Sequence, residues 1–242
     1  MCTVSFIKQK GTYYITSNRD EHISRPSSFQ PKEAVINGQR IVYPKDPKAG
    51  GTWFAVHENG TLVVLLNGAF EKHISKGPYV KSRGLVVLDV ISAASPNTFL
   101  EEFNLEGIEP FTLLLFHNEE LRELRWDGEK KALKTVDTAQ NHIWSSVTLY
   151  DAASIRKREA LFTAFLEKNA SLDAAAIIAF HHTNHEDYEN GFVIDRADGL
   201  TTFSVTQAVL DTDEKSLTHL DLKNGDQKTV VIAQGQQQDL LL

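Results

Sequence analysis

MCTVSFIKQKGTYYITSNRDE, residues 1–21, reads as a β-hairpin with chemistry at its open end. The first strand alternates, with Cys2, Val4 and Phe6 on one face and Thr3, Ser5 and Ile7 on the other. Lys10-Gly11 is a turn signal, and residues 12–17 form the second strand. An antiparallel hairpin sets its first and last residues side by side. Cys2 is therefore expected beside Asn18, Arg19, Asp20 and Glu21.

Cys2 is the single cysteine of 242 residues and follows the initiator methionine directly. Its small side chain permits removal of Met1, which leaves one residue bearing both a thiol and a free α-amine. Such an amine titrates near pH 8 and can take the thiol proton and later return it to a leaving group. A nearby Arg19 favours the thiolate, and Asp20 or Glu21 can hold the α-ammonium or orient the arginine. The plainer reading makes Cys2 a small strand-starting residue and NRDE a surface turn with a salt bridge.

Composition narrows the field. The chain is 41% hydrophobic and 24% charged, ordinary for a soluble globular protein, and its length allows a sizeable core in a single domain over residues 1–242. A net charge of −7 with no basic block argues against a nucleic-acid partner. One cysteine excludes an intrachain disulfide and a cysteine-based zinc site. No apolar run reaches the length of a membrane span, and the N-terminus has no apolar h-region. The expected location is cytoplasmic.

Farther along, hairpins and helices alternate. Residues 24–50 hold Pro26, Pro31, Pro44 and Pro47 and read as a long surface loop with one short strand at 40–43. Residues 52–67 form a hairpin turning at Asn59-Gly60. Helices are predicted over 85–94 and 98–104, and a hairpin over 111–128. Residues 152–168 form an amphipathic helix with Asp151 as N-cap and Ile155, Phe162, Phe165 and Leu166 on one stripe. A short apolar helix over 172–180, a third hairpin over 191–205 and strands near 216–222 and 228–233 complete the chain before a frayed tail. Antiparallel sheets with segregated helices place the fold in the α+β class, in a layered αββα arrangement.

The order of several short motifs resembles one family. MC at the start, NRDE (18–21) followed by SRP (24–26), GGTW (50–53), LLN (65–67) and SRG (82–84) are similar to the NRDE family, also called the Transport and Golgi organization protein 2 family. The resemblance is strongest over the first 90 residues or so. It implies an N-terminal-nucleophile (Ntn) hydrolase-like αββα sandwich. Haem trafficking and lipid or acyl-CoA metabolism have both been proposed for eukaryotic relatives, so haem is a possible ligand, with no other cofactor implied.

A looser resemblance reaches the cysteine Ntn hydrolases, such as bile-salt hydrolase, penicillin V acylase and acid ceramidase. Carried over, it implies Cys2 as nucleophile, Arg19 as the pKa-lowering cation and Asp20 as the acid holding the amine. Asn67, ending its strand, is the candidate oxyanion donor, or an ordinary strand-end residue beside Gly68. In those enzymes the arginine and acid lie three apart, and a simple overlay puts Asn18 and Glu21 in these slots. Which pair faces Cys2 stays open, since a one-residue shift of register flips every side chain. The pattern's second Asn falls near Ser145-Ser146, and its late Arg has no match around residues 187–194. Asn18, Glu21, Trp53 and Arg83 are candidate substrate contacts, with Trp53 as pocket wall or core anchor and Arg83 as an anion contact or helix start.

Other clusters carry less. His181 and His185 share a helical face at i, i+4, but a solvated helix end is expected there rather than a metal site. Gly50-Gly51 permits a tight turn, since no Lys-Ser/Thr follows it to cradle phosphate. The leading expectation is hydrolysis of a small amide through a Cys2 thioester. The alternative is a non-catalytic carrier of haem or an acyl lipid on the same fold.

Overall fold

The opening hairpin forms as its alternation requires. Strands β1 (Thr3–Gln9) and β2 (Thr12–His22) pair antiparallel, with Thr3 opposite Asn18 and Gln9 opposite Thr12. Lys10 and Gly11 take φ of 52° and 91°, a two-residue turn whose twist matches the strands. The structure, a computed structural model, describes residues 3–234; the expectations for Met1, Cys2 and the tail 235–242 lie outside the described residues.

The chain continues through β3 (Phe29–Ile36), β4 (Gln39–Lys45), β5 (Phe54–His57) and β6 (Leu62–Asn67) to helices α1 (Arg83–Ile91) and α2 (Pro96–Glu102). Strands β7 (Phe111–His117), β8 (Glu120–Trp126), β9 (Lys131–Val136) and β10 (His142–Ser145) precede α3 (Ala152–Lys168) and α4 (Ala174–His181). Strands β11 (Leu200–Leu210), β12 (Glu214–Asp221) and β13 (Asp226–Gln234) follow. One antiparallel sheet has the order β10-β1-β2-β11-β12-β13 and the other β3-β4-β5-β6-β7-β8-β9.

The sheets face each other across the main core, which takes Val4, Phe6 and Ile15 from one and Val64, Leu114 and Phe116 from the other. Helices α3 and α4 pack on the first sheet, where Ile7 and Tyr14 meet Phe162, Ile177 and Phe180. Helices α1 and α2 pack on the second, against β5, β6 and β7. Among the described residues the result is an α+β sandwich of two antiparallel sheets and four helices. Among the described residues no helix is long and apolar enough to cross a membrane.

Four readings of the sequence need correction. Residues 24–50 are not mainly loop: they contain the hairpin β3–β4, turning at Asn37-Gly38 with φ of 51° and 79°. Pro31 concealed it, yet β3 is an edge strand with an irregularity between Phe29 and Lys32, where a missing donor costs little. Strands β9 and β10 were not predicted; β9 is a polar edge strand and β10 spans four residues. The third hairpin is not one: residues 192–195 make only an isolated bridge, Asp195 to Thr201, and β11 instead pairs with β2 and β12. The expected helix starts at 85, 98 and 172 move to Arg83, Pro96 and Ala174, the last set by Asp173 accepting from Ala176 N at 2.8 Å.

Candidate active site

The period of β2 sorts its residues onto two faces. Thr16, Asn18 and Asp20 follow Tyr14 toward the helices; Ser17, Arg19 and Glu21 follow Ile15 toward the opposite sheet. On β1, Ser5 and Thr3 bond to α4 and α3, while Val4 and Phe6 enter the core between the sheets.

Arg19 is only 3% exposed and is held on several sides. Its Nη2 donates to Asp46 Oδ2 at 2.8 Å and to Glu21 Oε2 at 3.3 Å, and its guanidinium lies 4.7 Å from the Trp53 ring centre and 5.6 Å from that of Phe203. Asp46 Oδ2 also accepts from Arg25 Nη2 at 2.8 Å, while Oδ1 accepts from the N–H groups of Lys48 and Ala49. Burial raises the Asp46 pKa, but these two N–H groups and the two guanidiniums outweigh it and hold the carboxyl below its usual range.

The GGTW and SRG segments meet here. Thr52 N donates to Gly84 O at 3.1 Å, and Gly51 sits so close to Gly84 that a Cβ on it would overlap the Gly84 backbone. Glycine is required at position 51 by this approach. Arg83 donates to Pro110 O and pairs with Glu109, each at 3.0 Å. Asn67 ends β6 opposite Phe111, and its carbonyl accepts from Ser146 Oγ at 2.8 Å. Arg19, Glu21, Trp53, Asn67 and Arg83 thus share the wall of one cavity of about 370 Å³.

Asn18 and Asp20 do not line that cavity. Asn18 is fully buried; its Nδ2 donates to the carbonyls of His181 and Phe192, each at 2.9 Å, and its Oδ1 lies 2.5 Å from His181 Nδ1. The structure thus places Asn18 with His181 and Phe192 rather than on the cavity wall. Asp20 accepts from Tyr150 Oη at 2.6 Å and Thr202 Oγ1 at 2.5 Å. Cys2, the expected nucleophile, lies outside the described residues.

His181 completes a buried relay. Because Asn18 Nδ2 is spent on two carbonyls, His181 Nδ1 carries the proton and donates to Asn18 Oδ1, and Nε2 accepts from Ser5 Oγ at 2.7 Å. Burial, then His185 and Arg158, push its pKa down to about 3. The relay resembles a nucleophile–histidine–amide triad, but all three residues are fully buried, so no substrate reaches Ser5. His185 bonds to Phe180 O, and among the described residues no cluster of three metal-ligating side chains forms.

Several residues of the site escaped the sequence reading. Asp46 lies in the stretch taken for loop, four residues before the GG of GGTW. Arg158 on α3 is fully buried and donates to Thr3 Oγ1 at 2.5 Å. Its guanidinium lies 3.4 Å from the centre of the Tyr150 ring. The signal was available: Arg158 falls between Ile155 and Phe162 on the apolar stripe.

Solved structures share this architecture. The chain is similar to a Cys-to-Ala mutant of conjugated bile acid hydrolase from Clostridium perfringens at a TM-score of 0.59 and 12% identity, covering 96% of this chain and 92% of that one. An Arg-to-Leu variant of the same hydrolase matches at 0.62 and 13%, with the same coverage. The Caenorhabditis elegans ortholog of N-acylethanolamine-hydrolyzing acid amidase matches at 0.58 and 12%, covering 85% and 92%. At these identities the likeness establishes the fold, that of the Ntn hydrolases. No curated protein matches the chain. The model of the Transport and Golgi organisation 2 family matches residues 1–217, and the chain belongs to that family.

Proposed function

We propose that this protein is an N-terminal-cysteine hydrolase that cleaves a C–N amide bond of a small molecule through a thioester on Cys2. The observation that supports it best is the convergence on one cavity of Trp53, Asn67 and Arg83 with Arg19, the residue after Asn18 on β2. Val4 and Phe6 on β1 share the face of Arg19 on β2, and the sequence alternation is the ground for expecting Cys2 on that face as well.

In this reading, removal of Met1 frees the Cys2 α-amine. The amine takes the thiol proton, and Arg19 favours the thiolate. Sulfur attacks the amide carbon, and the oxyanion is held by the Asn67 side-chain N–H and backbone N–H groups. The C–N bond breaks as the ammonium returns its proton to the leaving nitrogen. Water, deprotonated by the same amine, then releases the acid. Asp20 is assigned to the α-ammonium rather than the thiol, because it lies on the face of β2 opposite Arg19, where Tyr150 and Thr202 already orient its carboxylate.

The test is the intact mass of untagged protein followed by an amidase screen with N-acyl amino acids and acyl anilides. Loss of Met1 with turnover abolished in Cys2→Ser supports the reading. Retained Met1, or equal turnover in Cys2→Ser, overturns it and leaves the cavity as a ligand-carrying pocket.

A further inference from the structure

Hydrogen-bond donors outrun acceptors around the cavity, and the excess lies at the start of α1. Ser82, the N-cap, makes no side-chain capping bond, and its Oγ is buried without a partner among the described residues. No acidic side chain occupies the first turn. Ser82, Arg83 and Gly84 all line the cavity, so the uncapped positive end of a nine-residue helix opens into it.

The facing wall makes the same demand independently. Arg19 and Trp53 are each 97% buried (3% exposed), and among the described residues Arg19 Nη1 and Trp53 Nε1 have no acceptor. Buried N–H donors rarely stay unpaired. The carboxylates of the wall are already engaged. Asp46 serves Arg19 and Arg25, Glu21 serves the same two, and Glu109 serves Arg83 and His73. Burial pulls the Arg83 pKa down despite Glu109, as expected for a cation short of compensating charge.

We propose that this cavity seats a ligand bearing a carboxylate or phosphate group, held between the N-terminus of α1 with Arg83 and the Arg19–Trp53 wall. This deepens the hydrolase reading by making the substrate anionic, and it rests on that reading only for what happens after binding. The anion accepts from the first-turn N–H groups and from Arg83, whose five-donor fork is only partly used by Glu109 and Pro110. Asn67, on the same wall, then faces the neutral part of the ligand.

Calorimetric titration of the full chain with acetate, inorganic phosphate and neutral acetamide tests this, in the wild type and in Cys2→Ser. At least one anion should saturate while acetamide does not, and the tighter anion names the group. Arg83→Met should weaken that binding by about tenfold or more, the equivalent of about 1.4 kcal/mol. Ser82→Asp should raise the melting temperature by capping α1 while abolishing binding, because its carboxylate takes the place of the anion. This second variant keeps the test valid should Arg83→Met fail to fold. Saturation by neither anion, equal binding of acetamide, or unchanged affinity in Ser82→Asp overturns the proposal. Anion binding retained in Cys2→Ser with no turnover in the wild type would sink the hydrolase reading alone.

Discussion

Arg19 and Asp20 are neighbours in the chain, yet they point to opposite sides of β2. Arg19 donates to Asp46 at 2.8 Å between the sheets, and Asp20 accepts from Tyr150 at 2.6 Å on the helix side. The pair therefore divides its work: one residue sets the electrostatics of the cavity, and the other ties the hairpin to the layer above it.

Replacing the two should separate these roles. Arg19→Met should slow alkylation of Cys2 by iodoacetamide near neutral pH and move its pH profile upward, because the thiolate loses its cation. Asp20→Asn should lower stability by about 1–3 kcal/mol by weakening charge-assisted bonds to Tyr150 and Thr202. Alkylation profiles and urea unfolding check both; an unshifted profile in Arg19→Met would rule out thiolate stabilisation.

Asp46→Asn should destabilise by about 3 kcal/mol at pH 7, since it leaves Arg19 buried beside a neutral group. The carboxyl pKa is depressed in the fold, so its contribution is present above its ordinary value of 3.8 and is lost as pH falls through the lower folded value. The gap between wild type and variant should close below about pH 4, as read by denaturant midpoints.

His181 has the opposite chemistry and the same sign. Its folded pKa of about 3 lies under the ordinary 6.5, so the unfolded chain binds the proton first. The stability tied to the neutral ring is full above pH 6.5 and is lost as pH falls from 6.5 toward 3. Urea unfolding at pH 7, 5 and 4 should show this fall, and His181→Gln should be weaker at pH 7 but flatter with pH. An equal slope in the variant would assign the acid sensitivity elsewhere.

Asn67→Ala should spare the fold, because the bond to Ser146 uses the Asn67 carbonyl rather than its side chain. If the amide N–H holds an oxyanion, kcat should drop by about 10²–10³-fold with little change in KM. An unchanged kcat would remove Asn67 from the proposed chemistry.

Gly51→Ala should be among the most damaging small changes, as the added carbon has only the Gly84 backbone to displace. A loss of about 1–3 kcal/mol, read as a lower melting temperature, is the expected cost of forcing GGTW and SRG apart.

Local rules made much of this legible. Alternation and the Lys10-Gly11 turn define the first hairpin, Asn59-Gly60 defines another, and Asp151 followed by a 3.6-residue stripe defines α3. They also place Val4 and Phe6 on one face, and the ordered motifs point to the family. Local rules failed where an edge strand hid behind a proline, as at Pro31, and where a buried cation sat on an apolar stripe, as at Arg158.

What the sequence determined by itself was the period-2 sorting of Asn18, Arg19, Asp20 and Glu21 into two sets. What only the tertiary structure decided was which set meets the cavity. Arg19 finds Asp46 at 27 residues' separation, and Asn18 finds His181 at 163. The alternation of a strand defines two faces but carries no information about what will cover each, because the covering elements are brought there by contacts distant in the chain.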